Sequence, residues 1–591
     1  MGLNRFSNKS IELTSGENKV LEILKKLYSN VEHDVYIYSQ QVISTRRPDF
    51  VIIDPKRGIS ILEVKDWSKG YIKSVNKRKV ELVDKTCDNP NIQVSGYKSI
   101  ISGSLFNKGC ESITEEEISP VIIFTSLSNK SQEYQELSML FTSNIRYIFK
   151  EDLNKLSIDD LFHKNQFLNA QNELNLIRLA LFPELEIVNV KDNEVENTEV
   201  KVLDFNQEEF AKRIPYGHYM LTGVPGSGKT AVLLARAIYL VKENPNWKIL
   251  ILTYNKSLSN KLNAQLNKIA EQFKNDLFHQ DINLDHIEII HFHALTSRLT
   301  PGSYKPSYMT NDEWFDEEVV QLALNNAYES YDAILIDEYQ DFRMSWIELC
   351  ISLCKSYRLA DDNKKIKNIF LAGDRLQSIY NPKDVIWQSI GLNIRGGGRS
   401  KFLKTSYRSA KEHMNLALKF LKEDKKLKAE VEKFYTDDSD NEELKSVHSG
   451  NLSFISGNYQ IIGDEIERLK QLGYENHDFL ILCPTKRICK VVRDKAPQSI
   501  KYQMEMVSDL NESDIEDNII ITTYHSSKGL EASVVFMVEV DKVYVGESES
   551  EQLKRKLIYV GMTRASERLY IYSKVNDNGK YLTELKSLSN R

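Results

Sequence analysis

The first 165 residues combine one amphipathic helical segment with several short apolar runs of strand length. In the helical segment, Val20, Leu21, Leu24 and Leu27 recur at the spacing of one helix face. The apolar runs, rich in β-branched and aromatic side chains, lie at 35–38, 50–53, 59–64, 80–83, 121–124 and 145–149. This mixture predicts a small α/β domain over residues 1–165.

A helical stretch and then a polar stretch follow this domain. Apolar spacing predicts a helix near 174–181, whereas residues 190–201 are acidic and lack periodicity, as linkers do. We therefore expect residues 166–201 to form a helical and acidic linker.

From residue 202 onward, short continuous apolar runs alternate with turns and helical stretches. Such runs are typical of parallel strands that are buried on both faces of a sheet. They fall into two sets on either side of an acidic connection, within the stretches 218–230, 248–255, 331–341 and 367–374 and the stretches 479–486, 518–529, 532–540 and 568–574. The pattern predicts two doubly wound parallel-sheet domains, over 202–400 and 401–591, and an α/β fold class for the whole chain.

Composition adds little to this picture. The 591 residues include 78 Lys and Arg against 84 Asp and Glu, a formal net charge of −6, so any surface for nucleic acid must be local. Six cysteines without zinc-binding spacing indicate reduced thiols. The sequence has no signal peptide and no apolar run of about 18 residues, the length a membrane helix needs. We expect a cytoplasmic protein without a membrane partner.

The strongest local motif is a glycine-rich turn between a predicted strand and a predicted helix. It runs from Gly223 through Gly226 and Gly228 to Lys229 and Thr230, and it is a complete G-x-x-x-x-G-K-[ST]. Phosphate oxygens need several backbone N–H donors at once, together with a lysine charge and a hydroxyl for Mg²⁺. The motif therefore predicts an ATP site.

Two carboxylates, Asp337 and Glu338, follow the predicted buried strand at 333–336. In a nucleotide site, such a pair is suited to hold Mg²⁺ and its waters and to activate the attacking water. We therefore assign Thr230 and Asp337 as metal ligands and Glu338 as a base.

Further motifs in a fixed order extend this assignment. They are FNQ at 205–207, TYNKSL at 253–258, HFHAL at 291–295, DEYQD at 337–341, GDRLQSIY at 373–380, SYRS at 406–409, YHSSKGLE at 524–531 and YVGMTRA at 559–565. With these motifs, residues 203–575 resemble superfamily-one helicases of the UvrD/Rep type, whose motor consists of two RecA-like domains.

The resemblance implies a role for six residues around ATP. Gln207 would read the adenine edge, Tyr407 would stack on the base, and Arg408 would reach the phosphates. Glu531 would contact the ribose, Gln377 would sense the γ-phosphate or its attacking water, and Arg564 would be the arginine finger.

The resemblance also implies a single-stranded DNA track across both motor domains. The side chains expected to stack on bases or hold phosphates are Tyr254, Lys256, His293, Tyr380, His525 and Lys528. Each of them is equally compatible with a place in a packed core. Short spacings between the motifs leave little room for the insertions of larger relatives, which favours translocation over strong unwinding. The resemblance favours 3′ to 5′ movement, and an RNA track stays open because nothing here reads the 2′-hydroxyl.

The first domain contains a D-x₁₃-E-x-K pattern, formed by Asp49, Glu63 and Lys65. On an extended strand, Glu63 and Lys65 share one face, and Asp49 can meet them from the neighbouring strand. Two carboxylates can hold Mg²⁺ or Mn²⁺, and a lysine can orient or deprotonate water. The pattern predicts a phosphodiesterase site.

Two further features, Glu17 in the predicted helix and a Q-x-x-x-Y motif that starts at Gln93, complete a second resemblance. Together with the D-x₁₃-E-x-K pattern, they resemble the nuclease-related domain of the restriction-endonuclease-like, PD-(D/E)xK superfamily. The resemblance implies that Glu17 joins Asp49 and Glu63 as a metal ligand and that Gln93 is catalytic. Residues 41–86 hold 11 Lys and Arg against 6 Asp and Glu, a local excess that suits DNA.

The sequence thus predicts an ATP-dependent DNA translocase or helicase with a metal-dependent DNA nuclease domain. The combination resembles single-chain nuclease–helicase proteins of bacterial anti-phage immunity. Two alternatives stay open: a helicase–nuclease of DNA repair, and an ATP-switched DNA-binding protein whose first domain does not cleave.

Overall fold

The structure is a computed structural model, and it describes most of the chain. The described residues are 3–7, 13–44, 46–110, 113–163, 171–187, 201–213, 216–254, 256–275, 282–310, 313–359, 362–378, 387–394, 398–436, 445–506, 518–545 and 550–590. The chain forms two compact units. The first contains 1–217, 231–249 and 261–288, and the second contains 218–230, 250–260 and 289–591.

A mixed sheet forms the centre of the first unit. Its strand order in the described residues is β1-β2-β3-β4-β8-β9, with antiparallel pairing around β3 and parallel pairing elsewhere. A small antiparallel sheet holds β5, β6 and β7. The strands are β1 Leu3–Ser7, β2 Val35–Ser39, β3 Phe50–Asp54, β4 Gly58–Lys65, β5 Ile72–Val75, β6 Lys79–Leu82, β7 Thr86–Asp88, β8 Ser119–Phe124 and β9 Arg146–Ile148. All six strands that the sequence predicts here are confirmed.

Helices pack against this sheet, and further helices follow in the chain. They are α1 Ser15–Leu27, α2 Pro90–Asn107, α3 Gln132–Ser138, α4 Gln171–Leu181, α5 Phe205–Ala211, α6 Lys229–Glu243 and α7 Lys256–Asn275. The predicted apolar face of α1 packs into one core with β3 and β4, and α2 packs against β4 and β8. The helix predicted near 174–181 is α4, whereas most of the predicted acidic stretch, 188–200, lies outside the described residues.

The second unit contains two parallel sheets. The first has the described order β12-β11-β13-β16-β10-β17, and the second has the order β20-β25-β24-β21-β23-β22. The strands of the first are β10 His218–Gly223, β11 Ile249–Thr253, β12 Ile287–His291, β13 Ala333–Ile336, β16 Ile369–Gly373 and β17 Ser400–Leu403. Those of the second are β20 Asn451–Ser456, β21 Phe479–Cys483, β22 Met504–Met506, β23 Ile519–Thr523, β24 Ala532–Val538 and β25 Ala565–Ser573. Between them, β14 Ser356–Leu359 pairs with β15 Asp362–Lys367, and β18 Thr405–Ser406 with β19 Lys445–Ser446.

The two parallel sheets confirm the α/β class and the doubly wound pattern. Strand β17 pairs with β10, so the first sheet extends past the domain boundary that the sequence predicts at residue 400. Beyond α7, the helices are α8 Phe292–Leu299 and then Val319–Asn326, Met344–Leu353, Lys411–Lys422, Lys425–Thr436, Gln460–Lys470, Lys486–Lys495, Gln498–Lys501, Glu551–Met562 and Lys580–Ser589. In the part of the chain that the structure describes, no helix has the length and apolar character needed to cross a membrane.

Candidate active sites

Asp49 is bound to the strand that carries Glu63 and Lys65. It lies directly before β3, which pairs antiparallel with β4. Its Oδ2 atom accepts a hydrogen bond of 2.6 Å from the backbone N–H of Val64, the residue between Glu63 and Lys65. Burial and the nearby Glu63 charge raise the pKa of Asp49 well above its usual range. The structure therefore brings together the three residues at the centre of the predicted nuclease site.

Glu63 and Lys65 form an ion pair between Oε1 and Nζ on one face of β4. Glu63 Oε2 is buried and accepts no hydrogen bond from the described residues. Burial raises the pKa of Glu63, against the effects of Lys65 and, more weakly, of the Tyr97 hydroxyl. Burial also disfavours the charged form of Lys65, but Glu63 and Asp49 outweigh it and raise its pKa. Lys65 therefore carries a charge at neutral pH, which suits it to orient water better than to deprotonate it.

Glu17 has a structural role at the start of α1. Its Oε2 accepts from the Thr14 N–H at 2.9 Å, and its own N–H donates to Thr14 Oγ1 at 3.2 Å, which is a capping box. Its other oxygen, Oε1, accepts from Gln40 Nε2 at 3.1 Å, and the same nitrogen donates to Asp49 Oδ1 at 2.9 Å. Gln40 thus joins Glu17 to Asp49.

Gln93 lies in the first turn of α2, the helix that packs against β4. Its Oε1 atom is buried and accepts no hydrogen bond from the described residues. One helical turn later, Tyr97 lies close enough to Glu63 and Asp49 for both carboxylates to raise its pKa, after burial, which has the largest effect. The Q-x-x-x-Y motif is therefore on the helix next to the carboxylates, although no described contact joins Gln93 to them.

In the second unit, the glycine-rich turn follows β10 and leads into α6. Gly226 and Gly228 have φ values of 71° and 79°, a region that favours glycine. Lys229 Nζ folds back over the turn and donates to the backbone oxygens of Gly223 and Val224, both at 3.0 Å. Burial lowers the pKa of Lys229, and neighbouring carboxylates oppose this.

Thr230 and Asp337 meet at the end of the turn. Thr230 Oγ1 donates to Asp337 Oδ2 at 2.8 Å. Burial and the charge of Glu338 raise the pKa of Asp337 to about 7. The pKa of Glu338 is lowered, because Lys528 and Lys229 outweigh its burial. Neighbouring carboxylates with pKa values pushed apart are typical of sites that need one metal ligand and one base.

A chain of polar contacts links Glu338 to Arg564. Gln340 Nε2 donates to Glu338 Oε2, and Gln340 Oε1 accepts from the Asp374 N–H at 3.0 Å. Asp374 Oδ2 accepts from Gln377 Nε2 at 2.9 Å, and Gln377 Oε1 accepts from Arg564 at 2.6 Å. The predicted γ-phosphate sensor and the predicted finger are therefore hydrogen-bonded to each other.

The predicted phosphate and ribose ligands also meet. Arg408 donates to Glu531 Oε2 at 2.6 Å, and the Tyr407 N–H donates to the Gly226 carbonyl at 3.0 Å. The Tyr407 side chain is 38% exposed. Gln207 belongs to the first unit, where its side chain is buried and accepts from the Asp204 N–H at 2.8 Å in the capping box of α5.

Three family models match the chain, and the matched stretches contain most of the residues of these two sites. Residues 13–125 match the nuclease-related domain, 203–326 and 308–384 match the UvrD/REP helicase N-terminal domain, and 518–572 match the UvrD-like helicase C-terminal domain. The chain combines a nuclease-related domain with the N-terminal and C-terminal domains of UvrD-like helicases. The nuclease-related match contains Asp49, Glu63 and Lys65, and the C-terminal match contains Glu531 and Arg564.

Curated relatives of this chain include the ATP-dependent DNA helicase PcrA of Staphylococcus aureus and that of Staphylococcus epidermidis. The first is 36% identical and the second 33% identical, each over 76 residues, which are 12% of this chain and 10% of the relative. The chain thus spans about a tenth of the length of these curated relatives.

The side chains predicted to contact DNA in the helicase have diverse positions. Tyr254 stacks on Trp346 with ring centroids 6.1 Å apart, and His293 meets the same indole edge-on at 5.4 Å. Lys256 is exposed at the start of α7, and His525 is partly buried two residues after the end of β23. Tyr380, another of the side chains predicted to contact DNA, lies outside the described residues.

Lys528 is placed deep among the residues of the ATP site. Only 7% of its side chain is exposed, and Nζ donates to Asp341 Oδ2 at 2.5 Å and to the Gln377 carbonyl at 3.2 Å. The Lys528 charge also lowers the pKa of Glu338. Contact of Lys528 with a DNA phosphate stays a prediction. In the structure, Lys528 contacts Asp341 and Gln377, which lie beside the predicted ATP site.

The predicted metal site of the nuclease-related domain has three carboxylate ligands, and the structure supports two of them. No three His, Cys, Asp or Glu side chains converge as a metal-binding group in the described ranges. Both oxygens of Glu17 accept hydrogen bonds, from Thr14 and from Gln40, and its role as a metal ligand stays a prediction. Asp49 and Glu63 do fit, since Mg²⁺ is commonly held by one or two carboxylates and several waters. Glu63 Oε2, which is buried and accepts no hydrogen bond from the described residues, is suited to bind such a cation.

Two contributors to these sites are missing from the sequence-based assignment. Asp374 follows the buried strand β16 just as Asp337 follows β13, so the same carboxylate-after-strand pattern could have identified it. Gln40 follows β2 with a φ of 55°, and no pattern in the sequence signals a left-handed glutamine.

Proposed function

We propose that this chain is an ATP-driven translocase on single-stranded DNA that carries a metal-dependent deoxyribonuclease domain. The observation that carries the proposal is the pair of buried carboxylates, Asp49 and Glu63, with a charged lysine beside them in a chain that also has a complete ATP site. Two catalytic centres in one chain are expected when movement along DNA and cutting of DNA are coupled.

In the motor, Lys229 would bind the β- and γ-phosphates, and Thr230 and Asp337 would hold Mg²⁺. Glu338, whose pKa is lowered, is ionised at neutral pH and suited to accept the proton of the attacking water. The hydrogen bond between Gln377 and Arg564 supports a paired action at the γ-phosphate, because both side chains are already held in one geometry.

In the nuclease-related domain, Asp49 and Glu63 would hold Mg²⁺ or Mn²⁺. The bound ion would polarise the scissile phosphate and lower the pKa of a water molecule. Lys65 would orient that water and offset the charge that develops on the phosphate oxygens. The Tyr97 hydroxyl, which donates to the Arg47 carbonyl at 3.5 Å, lies close enough to Glu63 to lower the pKa of that carboxylate.

The proposal extends to the cell, where this activity would degrade or nick foreign DNA in bacterial antiviral defence. The support is the resemblance to nuclease–helicase proteins of anti-phage immunity. A role in DNA repair would use the same chemistry. Plaque counts on cells with the parental gene or the variants below separate the two, since only a defence role requires both sites for protection from phage.

Substitution separates the two centres. We expect Lys229→Ala to abolish ATP hydrolysis, and Asp49→Ala to abolish DNA cleavage while DNA-stimulated ATP hydrolysis continues. Asp84→Ala, the same change at an exposed carboxylate of the same domain, is the matched control and should cleave normally. The assay is cleavage of single-stranded, duplex and gapped DNA, with ATP and divalent metal varied independently.

The same assay also tests the alternative that the first domain binds DNA without cleaving it. If purified Asp49→Ala protein degraded DNA at the parental rate, the cleavage would belong to a contaminant or another site, and the nuclease assignment would be wrong. If the parental protein cut none of these substrates with Mg²⁺ or Mn²⁺, the ATP-switched DNA-binding protein would be the better description.

A further inference from the structure

The helix that begins at the ATP site ends among charged contacts of the first unit. Helix α6 starts at Lys229, and its residues from 231 onward belong to that unit. At its middle, Arg236 donates to the backbone carbonyl of Ala211, the last residue of α5, at 3.0 Å and to that of Arg213 at 2.9 Å. Glu243, the last residue, accepts from Arg47 at 2.8 Å. The far end of α6 is thus fixed to the nuclease-related domain and to the segment that follows it.

Arg47 uses one planar group for two contacts. One terminal nitrogen donates to Glu243 Oε2, and the other donates to the Gln40 backbone carbonyl at 2.6 Å. The Glu243 side chain is 4% exposed and the Arg47 side chain 29% exposed, so solvent screens this pair only in part. Because the guanidinium is rigid, a displacement of Glu243 is transmitted to Gln40.

Gln40 in turn holds the carboxylates of the nuclease site. Its side-chain nitrogen donates to Glu17 Oε1 at 3.1 Å and to Asp49 Oδ1 at 2.9 Å, and its backbone N–H donates to the Asp49 carbonyl at 3.0 Å. Its φ of 55° is a left-handed conformation that a glutamine keeps only when its surroundings impose it. The position of Asp49 therefore depends on how firmly Gln40 is held.

The other end of α6 carries the phosphate ligands of the ATP site, Lys229 and Thr230. An α-helix rises about 1.5 Å per residue, so α6 spans about 20 Å between Thr230 and Glu243. A ligand can shift a distant site only through an element that it displaces or orders, and a rigid helix with a ligand at one end is such an element.

We propose that Glu243, Arg47 and Gln40 form a relay of positioning residues, through which a nucleotide at the start of α6 regulates DNA cleavage at Asp49. This inference rests on the proposed nuclease function and adds to it the regulation of that site. None of the three residues needs to touch DNA or ATP, because the relay acts by setting the geometry of Asp49.

Cleavage measured with and without a non-hydrolysable ATP analogue tests the relay. We expect the parental rates to differ about 5-fold or more between these conditions, a common size for coupling between two sites. Glu243→Gln removes the charge that anchors Arg47, and Arg47→Lys keeps a charge but cannot make both contacts. Both variants should bring the two rates to within about 2-fold of each other.

Two matched controls should keep the parental ratio. Arg57→Lys changes an arginine of similar exposure in the same domain, one that binds Asp54 and Asp159 instead. Glu209→Gln changes a glutamate of the first unit whose partner is Arg213. DNA-stimulated ATP hydrolysis by Glu243→Gln should equal the parental rate, since Glu243 belongs to neither catalytic centre.

Deuterium exchange of the segment that carries Gln40 and Asp49 provides a readout that does not depend on cleavage. The analogue should alter this exchange in the parental protein and leave it unaltered in folded Glu243→Gln. If the parental protein cleaves equally with and without the analogue, or if Glu243→Gln keeps the parental ratio, the relay is wrong and the nuclease function stands. If no cleavage occurs at all, the nuclease function is wrong, and the exchange pattern alone supports or overturns the relay.

Discussion

Glu338, the base of the proposed ATP site, adopts a conformation that few glutamates adopt. Its φ of 51° lies in the left-handed region, directly after Asp337 and the buried strand β13. Such strain persists when surrounding contacts fix the residue, and here Gln340 donates to its carboxylate. The turn separates the carboxylates of Asp337 and Glu338, so that one accepts from Thr230 and the other accepts from Gln340.

His218, the first residue of β10, provides a pH-dependent contribution to stability. Its Nδ1 accepts a hydrogen bond of 3.0 Å from the Asn393 N–H, which requires a neutral ring at that nitrogen. Burial, and then the charge of Arg399, lower its pKa from 6.5 to about 4. Below pH 6.5 the unfolded chain binds a proton that the folded chain refuses, so stability falls as the pH drops toward 4.

We therefore expect the parental protein to lose about 1–2 kcal/mol more stability between about pH 7 and pH 5 than His218→Asn, which accepts a hydrogen bond without titrating. Thermal unfolding at the two pH values measures the difference. His448→Asn changes an exposed histidine and is the control. An equal loss in parental and His218→Asn protein would contradict this account.

The strands and helices were predictable where local patterns decide them. The runs that became β3 and β4 are continuous and apolar because both faces of the sheet are buried, and parallel-sheet strands such as β13 share this property. Strand β17 is not predicted, since this partly exposed edge strand begins with Ser400 and Lys401 and has no such run. Its place is decided by pairing with β10, a contact that no local pattern encodes.

The glycine-rich turn between β10 and α6 requires glycine for two separate reasons. At Gly226, a Cβ would lie 2.5 Å from Arg408 Cβ, and the φ of 71° is unfavourable for any other side chain. We expect Gly226→Ala to weaken ATP binding at least about 10-fold, because relief of this contact displaces Arg408 and the turn itself. Titration with a fluorescent ATP analogue measures this change.

Gly302 separates the two reasons. Its φ is 78°, but a Cβ there would meet nothing within 4 Å. Gly302→Ala should therefore carry a similar backbone strain, about 1 kcal/mol or more of stability, and bind ATP normally. If the two variants bound ATP equally, close approach to Arg408 would not be the reason for glycine at 226.

The first unit contains a buried cluster of ion pairs whose charged residues would be expected at the surface from the sequence alone. Glu184 is buried with Lys212 and Lys242 at 3.5 and 3.1 Å, and Lys212 also binds Glu208 at 2.9 Å. The sequence predicts a helical and acidic linker over 166–201, and charged residues in such a segment are usually exposed. The partners lie far along the chain, on α6 and just after α5, so the burial of Glu184 follows from tertiary contacts alone.

Tyr38 of β2 donates to Glu208 of this buried cluster at 3.4 Å, so the cluster predicts that the nuclease-related domain and α6 unfold together. Removal of one member of a buried ion pair leaves the other charge uncompensated, at a cost of about 3 kcal/mol or more. In Glu184→Gln, deuterium exchange should therefore rise together in β3, β4 and residues 231–243. Glu209→Gln, the same change in a partly exposed pair, should cost below about 1 kcal/mol. Faster exchange in 231–243 alone, with β3 and β4 still protected, would mean that the domain is an independent folding unit on a tether, and nucleotide at α6 would then have no rigid route to Asp49.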